Sequence, residues 1–376
     1  MSKPFDVCIR GDGVVGRTLA LLLARERLRV ALVARPAPAS ADAPADVPTD
    51  VRAYALNGAS RALLQTLRCW PETPFVTAVQ EMQIWGDDGG KLDFSALDVA
   101  HEALAWIVDV PALEQQLIQA VRYQPQIEIV QAPVKAALSV VCEGKKSQSR
   151  EEFGADWRVK PYPQKAIAAR LQSDRPHGGV AREWFSGGDI LALLPLAGIT
   201  GNSVALVWSV SVERADALEK LPPDEFCAAL QAVFEPVVAQ QVGTLSLISP
   251  RASWPLALAT AGHWVGPGWA LAGDAAHTVH PLAGQGLNLG LADAVGLAKV
   301  IAQREYWRAL GDERLLRRYE RARKADVAAM GAVTDGLHGL FAQTDGRWQA
   351  LRNWGMKGFS RSGLLKDWVT RQATGL

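Results

Sequence analysis

From Phe5 to Pro36 the chain reads FDVCIRGDGVVGRTLALLLARERLRVALVARP: an apolar run, a glycine loop, an amphipathic stretch and a second apolar run. Apolar runs of about four to eight residues read as buried strands, whereas apolar recurrence every third to fourth residue reads as a helix. Val7 to Ile9 therefore predicts a strand, the stretch ending near Arg27 a helix, and Val30 to Val33 a second strand, together a βαβ unit. VRAYALNGASRALLQTL at 51–67 predicts an extended piece followed by a helix with Leu63, Leu64 and Leu67 on one face. Residues 80–94 alternate in strand fashion around the DDGG turn at 87–90. A helix near 111–123 begins at Pro111, whose fixed φ suits a first helical position.

The middle of the chain, about 163–258, is strand-like with one helix near 222–234. Its uncharged stretch from Ile190 to Val212 is long enough to span a bilayer. Pro195 and the turn residues GITGNS at 198–203 split it, however, into two strand-length runs, the pattern of a hairpin in a soluble sheet. Residues 269–300 return to the opening style, with the strand WALAGD, a glycine loop and a long apolar helix, while 36–50 lack periodicity and predict a mobile connector. Two such units at opposite ends predict an α/β fold. Its Rossmann-like cofactor domain is assembled from 1–75, 95–160 and 262–330, its strand-rich substrate domain from 76–94 and 161–261, and 331–376 form a C-terminal helical region.

Composition narrows the classes. A chain of 376 residues, 49% hydrophobic, can bury one large or two medium cores. A net charge of +1 argues against nucleic acid as a partner, since phosphate contacts demand a basic excess. Four cysteines without a CxxC pair predict neither disulfides nor zinc and fit a reducing cytoplasm. The opening MSKPFDVCIRG has no signal-peptide pattern. His277 and His280 lie three apart with no third ligand nearby in sequence, so no metal is expected; His101, His177, His263 and His338 read as structural. Most of the 13 tryptophans, Trp184, Trp208, Trp254 and Trp264 among them, read as core. From Arg304 onward there are 14 Lys and Arg against 8 Asp and Glu. That basic tail, with Trp348, Trp354 and Trp368, suits either an anionic membrane surface or contact with another chain.

The glycine loops carry the chemistry. Gly11-x-Gly13-x-x-Gly16, with Val14 and Val15 inside it, lies between strand and helix, where glycines let a pyrophosphate approach backbone N–H groups at a helix N-terminus. In LAGDAAHTVHPLAGQGLNLGLADA, Asp274 ends a strand and can accept hydrogen bonds from sugar-type hydroxyls. Gly284-Gln285-Gly286-Leu287-Asn288 opens a helix whose N–H groups can stabilise negative charge on a reduced ring. A flavin needs both.

GDGVVG, RAYALNGAS and GDAAHTVHPLAGQGLNLG resemble the FAD-dependent aromatic hydroxylases, the class A flavoprotein monooxygenases. LALLPL, LVWSV and LRRYERARKADVAAM bring the likeness closest to the hydroxylases of ubiquinone biosynthesis, over nearly the whole chain. The resemblance implies FAD as cofactor, NAD(P)H as reductant, and transfer of oxygen from O₂ to an aromatic, prenylated phenol or quinol through a flavin C4a-hydroperoxide. It implies that Gly11, Gly13, Val14, Val15 and Gly16 take the pyrophosphate, with Arg35 and Arg52 also on the cofactor. Asp274 would bind the ribityl chain, and Pro281 and Gly284 to Asn288 would border the ring. Departures are an acid missing where Ala34 and Arg35 stand, Asp12 inside the phosphate loop, and Glu143 in VVCEGKKSQSR where the family carries Asp-Gly. Competing readings are a hydroxylase of a soluble aromatic metabolite, a catalytically impaired partner subunit of a biosynthetic complex or homo-oligomer, and an NADP-dependent dehydrogenase with Arg35 on a 2′-phosphate.

Overall fold

The strand Phe5–Arg10 lies inside a six-stranded sheet, parallel to Val30–Val33 on one side and Ala136–Val141 on the other. A computed structural model describes residues 4–34, 50–86, 90–196, 198, 200–234, 236–279 and 284–341. Beyond Val30–Val33 comes Ile127–Val130, and beyond Ala136–Val141 come Trp269–Leu271 and Val265–Gly266, so strands from both ends of the chain share one sheet. Leaving the first strand, the chain turns to one side, and the strand ending at Val141 occupies the other. The crevice at that reversal is where open α/β sheets hold ligands.

Close backbone contact fixes the helices on this sheet. Gly11 has φ +111°, and a Cβ there would lie 2.5 Å from the Cys142 carbonyl oxygen; a Cβ on Gly16 would lie 2.0 Å from the Gly11 oxygen. Glycine alone fits at both positions, and the helix Val14–Arg25 can then press onto the strand ends. It packs against the helix Val110–Arg122, whose N-cap Asp109 accepts from the Ala112 N–H at 3.2 Å with Pro111 in the first turn, and against the long helix Gln285–Ala302. The outer helix Glu313–Phe341 covers Gln285–Ala302.

The strand-rich middle builds a nine-stranded sheet around the long strand Trp157–Ser173, which crosses the boundary expected at 160/161. The uncharged 190–212 stretch is the expected hairpin, Asp189–Leu196 antiparallel to Ser203–Ser211 with Leu194 opposite Ala205. Residues 80–94 supply the paired strands Glu81–Trp85 and Lys91–Ser95. One face of this sheet is covered by the helices Val212–Lys220, Pro223–Gln231 and Pro236–Val242, burying Trp208, Phe226 and Trp184, the last stacked on Trp85 at 4.8 Å. The helix Val212–Lys220, capped by Ser211, has no counterpart in the sequence reading. A three-stranded sheet, Ala53–Leu56, Ala105–Asp109 and Val76–Val79, lies alongside. The expected connector apart from Asp50, the 87–89 part of the expected DDGG turn, Arg35, His280, Pro281 and the three tail tryptophans lie outside the described residues.

Gly16→Ala is expected to lower stability by about 2 kcal/mol or more, because the methyl meets backbone that cannot yield. Gly286→Ala, whose Cβ meets nothing within 4 Å, is expected to leave the unfolding free energy within about 0.5 kcal/mol of wild type. Denaturant unfolding of the two variants side by side checks this.

Candidate active site

Both glycine-led helices open onto one cavity of about 910 Å³. At its first corner Gly13 is the N-cap of Val14–Arg25 and supplies no side-chain cap, so the N–H groups of that first turn keep their donors for something else. A Cβ at Gly13 would meet nothing within 4 Å. Gly11, Gly13, Val14 and Val15 line the cavity, whereas Gly16 serves the helix-to-loop contact. Asp12 is neutralised in place by Arg17, 3.0 Å away. Ala34 also lines the wall, and Gln131, one residue past a neighbouring strand, is the polar side chain at that edge.

At the second corner Gly284, φ +62°, caps Gln285–Ala302 without a side-chain bond. Gly284, Gly286 and Leu287 line the cavity, and Gly286 has open space where a side chain would be. Asn288 does not line it. Its Oδ1 accepts from Ser60 Oγ at 2.7 Å and Asn57 N at 3.1 Å, and its Nδ2 donates to Ala55 O at 2.9 Å, stapling this helix to the segment 55–60. Gln285 likewise stands off the lining, although its side chain reaches Asn288 at 3.3 Å.

Asp274 projects from the turn Gly273–Ala275 into the cavity. Burial pushes its carboxyl above the ordinary carboxylate value, and Lys145, His277 and Arg52 only partly offset this. The turn is held from behind: Asp293 Oδ2 accepts the Gly273 N–H at 2.9 Å and pairs with His277 Nε2 at 2.6 Å, while Arg323 Nε donates to Oδ1 at 2.8 Å. All three side chains are buried, and His277 stacks on Trp264 at 5.0 Å. Burial alone would raise the Asp293 pKa, but His277 and Arg323 hold it below its ordinary 3.8.

Arg52 lines the cavity while forked onto Asp50, with Nε at 2.8 Å and Nη2 at 2.5 Å. Asp50 also gives its carbonyl to Arg170 at 2.9 Å, and Arg170 pairs with Asp109, so this arginine is tied to the long strand as well as facing the cavity. On the third side, Glu143 is fully engaged. It accepts from Ser147 Oγ at 2.8 Å, Ser149 N at 3.0 Å and Ser149 Oγ at 2.6 Å, and so shapes the loop that puts Lys145 and Lys146 on the rim. Arg150 lies 3.7 Å over the Trp157 ring and donates to Lys145 O and Ala275 O, binding this loop to the Asp274 turn. The remaining wall is the face of the nine-stranded sheet turned away from its helices, apolar through Ala192, Leu194, Ala205 and Val207, with Trp254 at its edge. Trp254, expected in the core, is half-buried and faces the cavity.

The family described as FAD binding domain matches residues 110–334, more than half of the chain. The 3-demethoxyubiquinol 3-hydroxylase of Escherichia coli (strain K12) is 29% identical over 402 residues, covering 100% of each chain. The ubiquinone hydroxylase UbiL of Rhodospirillum rubrum is 31% identical over 402 residues, covering 99% of this chain and 90% of the relative. This chain belongs to the FAD-dependent aromatic hydroxylases. The crystal structure of p-nitrophenol 4-monooxygenase PnpA from Pseudomonas putida shares the fold at a TM-score of 0.75 and 16% identity, over 99% of this chain and 98% of that one.

An uncapped helix start, the Asp274 carboxylate and a second uncapped helix start all face one largely apolar-walled space. The sequence reading missed Gln131, Lys145, Lys146 and Glu183 in this wall. The lysines carried a signal, two consecutive cations directly after a strand end; Gln131 and Glu183 had none, because only strand pairing brings them to the cavity. Among the described residues no three metal-ligating side chains gather.

Because its folded pKa is depressed, Asp293 contributes stability above about pH 4 that is lost as pH falls through the lowered value. Asp293→Asn is expected to cost about 3 kcal/mol near neutral pH, by removing the buried charge that His277 and the Arg323 Nε face, with Asp326 still on the Arg323 Nη1. The gap from wild type should shrink on acidification, which unfolding curves at several pH values will read.

Proposed function

We propose that this hydroxylase adds oxygen to the ring of a lipophilic phenol or quinol in the making of ubiquinone, with FAD as its cofactor, NAD(P)H as reductant and O₂ as co-substrate. One observation carries the reading: two uncapped helix N-termini and a buried carboxylate meet an apolar sheet face in a single cavity large enough for a dinucleotide and a ring. The names of the two relatives favour a ubiquinone precursor over a soluble metabolite. The six-stranded sheet would carry the cofactor, and the nine-stranded sheet would cover the substrate.

The residues present fit FAD, because Gly13 and Gly286 leave open space where side chains would block it. The N–H groups after Gly13 would hold the pyrophosphate, with Arg17 removing the cost of Asp12. Gln131 would take the ribose contact for which Ala34 has no group. Asp274 would accept from the ribityl hydroxyls, and its raised pKa relaxes once such donors arrive. The N–H groups of Gly286 and Leu287 would face the electron-rich edge of the reduced ring, while Arg52, Lys145 and Lys146 offer positive charge to phosphates. When bound and reduced, FAD supplies the activation of O₂ and the transfer of one oxygen atom to the ring. The apolar wall orients the acceptor and excludes water.

Contact with a membrane, and docking to other chains there, belongs to the same proposal. Arg314, Arg317, Arg318 and Arg321 are exposed on the outer helix, and Tyr306 and Trp307, 94% and 68% exposed, stand beside it through the Arg318–Glu305 pair. No described helix is long and apolar enough to cross a membrane. Trp307→Ser is expected to reduce co-sedimentation with anionic vesicles severalfold and to leave FAD content unchanged.

The direct test is FAD titration of the apoprotein. Uptake at micromolar or tighter affinity is expected, together with phenol-stimulated oxidation of NAD(P)H. Asp274→Ala should weaken FAD binding by about tenfold, the worth of a hydrogen bond to a charged group. A protein that takes up no FAD would overturn the reading.

A further inference from the structure

Where the nine-stranded sheet lines the cavity it is mostly apolar, and its polar lining residues include Arg182, Glu183 and Ser209. Glu183, on the strand Val180–Ser186, stands opposite Ala192 on one side and Ile84 on the other, and lines the cavity with Ile190, Ala192 and Val207. Among the described residues, no hydrogen bond or ion pair reaches its carboxylate. Asp293, Asp109 and Glu320, three other deeply placed acids among the described residues, are paired, with His277 and Arg323, with Arg170 and with Lys324 respectively, while Asp274 is the other cavity carboxylate whose pKa burial raises. Glu183 is half-buried, and a carboxylate without a partner becomes costly once a ligand covers it unless that ligand supplies one.

We infer that Glu183 is the acceptor for a ring hydroxyl of the aromatic substrate and takes its proton, an assignment that rests on the hydroxylase reading. The phenol O–H bond breaks, an O–H bond forms on the Glu183 carboxylate, and the electron pair stays on the phenolate oxygen; the proton later returns to solvent, with no change of oxidation state. The resulting phenolate is more electron-rich at its ring carbons, which is what an acceptor of electrophilic oxygen requires.

The electrostatics suit this task. Burial raises the Glu183 pKa to about 7, where a general base works best near neutral pH. The charged groups on the neighbouring strands are Arg182, Glu81, Lys91, Asp93 and Asp189. Lys91 is paired with Asp93, Asp189 with Arg214, and Arg182 feels Glu81. Across the cavity stand Arg52, Glu114 and Asp274, with Asp12, Glu143, Lys145 and Lys146 around the glycine loops. Burial is the cause of the upward shift at Glu183.

The test compares binding of 4-hexylphenol and its methyl ether to the FAD-loaded protein by equilibrium dialysis, between about pH 5.5 and about pH 8.5. Phenol should be preferred by about tenfold at the upper end, where the ionised carboxylate accepts from a hydroxyl that the ether lacks. The preference should fade at the lower end, because a protonated carboxyl donates to either oxygen. In Glu183→Gln the preference should be flat within about twofold, and the rise in hydroxylation rate with pH should be lost. A wild-type ratio that does not change with pH would sink the assignment, as would a variant that reproduces the wild-type profile. If the variant does not fold, the wild-type ratio alone decides. Absence of hydroxylated product from wild type would instead count against the hydroxylase reading, since the binding ratio does not depend on turnover.

Discussion

Backbone must touch backbone where the first strand hands over to the first helix, and the cofactor side of this molecule is arranged around that contact. With hydrogen in place of Cβ at Gly11 and Gly16, the helix Val14–Arg25 sits against the ends of two strands, and its uncapped first turn opens on the crevice between them. The contact continues outward. Val15 fills the space that side chains would claim at Gly273 and Gly290, where a Cβ would come within 3.3 and 2.8 Å of its methyl groups. One valine thus locks the first glycine loop to both parts of the second unit, the Asp274 turn and the helix Gln285–Ala302. Two segments some 260 residues apart meet with almost no side chain between them, which is how two helix N-termini come to share one cavity.

Charge reinforces that geometry where it would otherwise be soft. The Asp274 turn has little regular structure of its own, but Asp293 reaches it from the helix, and His277 from the following strand and Arg323 from the outer helix hold Asp293 in turn. Every one of those groups is buried and satisfied by another, so the turn is held by a closed set of charge-assisted bonds. Glu143 does the same for the rim loop. A glutamate where the family carries aspartate reads as a loss in one dimension, yet its carboxylate caps Ser149 and bonds two serine hydroxyls, with the longer arm absorbed by the loop. Asp12 is likewise answered by Arg17 one helical turn away.

The nine-stranded sheet divides its work between its faces. One is sealed by helices and packed with tryptophan and phenylalanine; the other, of alanine, leucine and valine, packs in part on the three-stranded sheet and elsewhere lines the cavity. Small side chains there make room, and the apolar wall lowers the local dielectric, which strengthens any polar contact a substrate makes.

The sequence by itself determined the elements and the two loops. Periodicity separated strand from helix, Pro195 and its turn turned an apolar run into a hairpin, and the glycine spacings marked the two loops that open on the cavity. Those features are local: a turn, a cap or a period is written in neighbouring residues. Tertiary structure alone decided which side chains the loops would face. Asn288 turned inward because Asn57 and Ser60 reach it from more than 200 positions away, Arg52 acquired Asp50 and the long strand, and Trp254 came to the cavity edge. Gln131 and Glu183 became cavity residues only through the register of strands distant in sequence, and Asp293 became a clamp only because a helix brought it behind Gly273. Partners so far apart leave no local pattern, so folding the chain is what assembles the site.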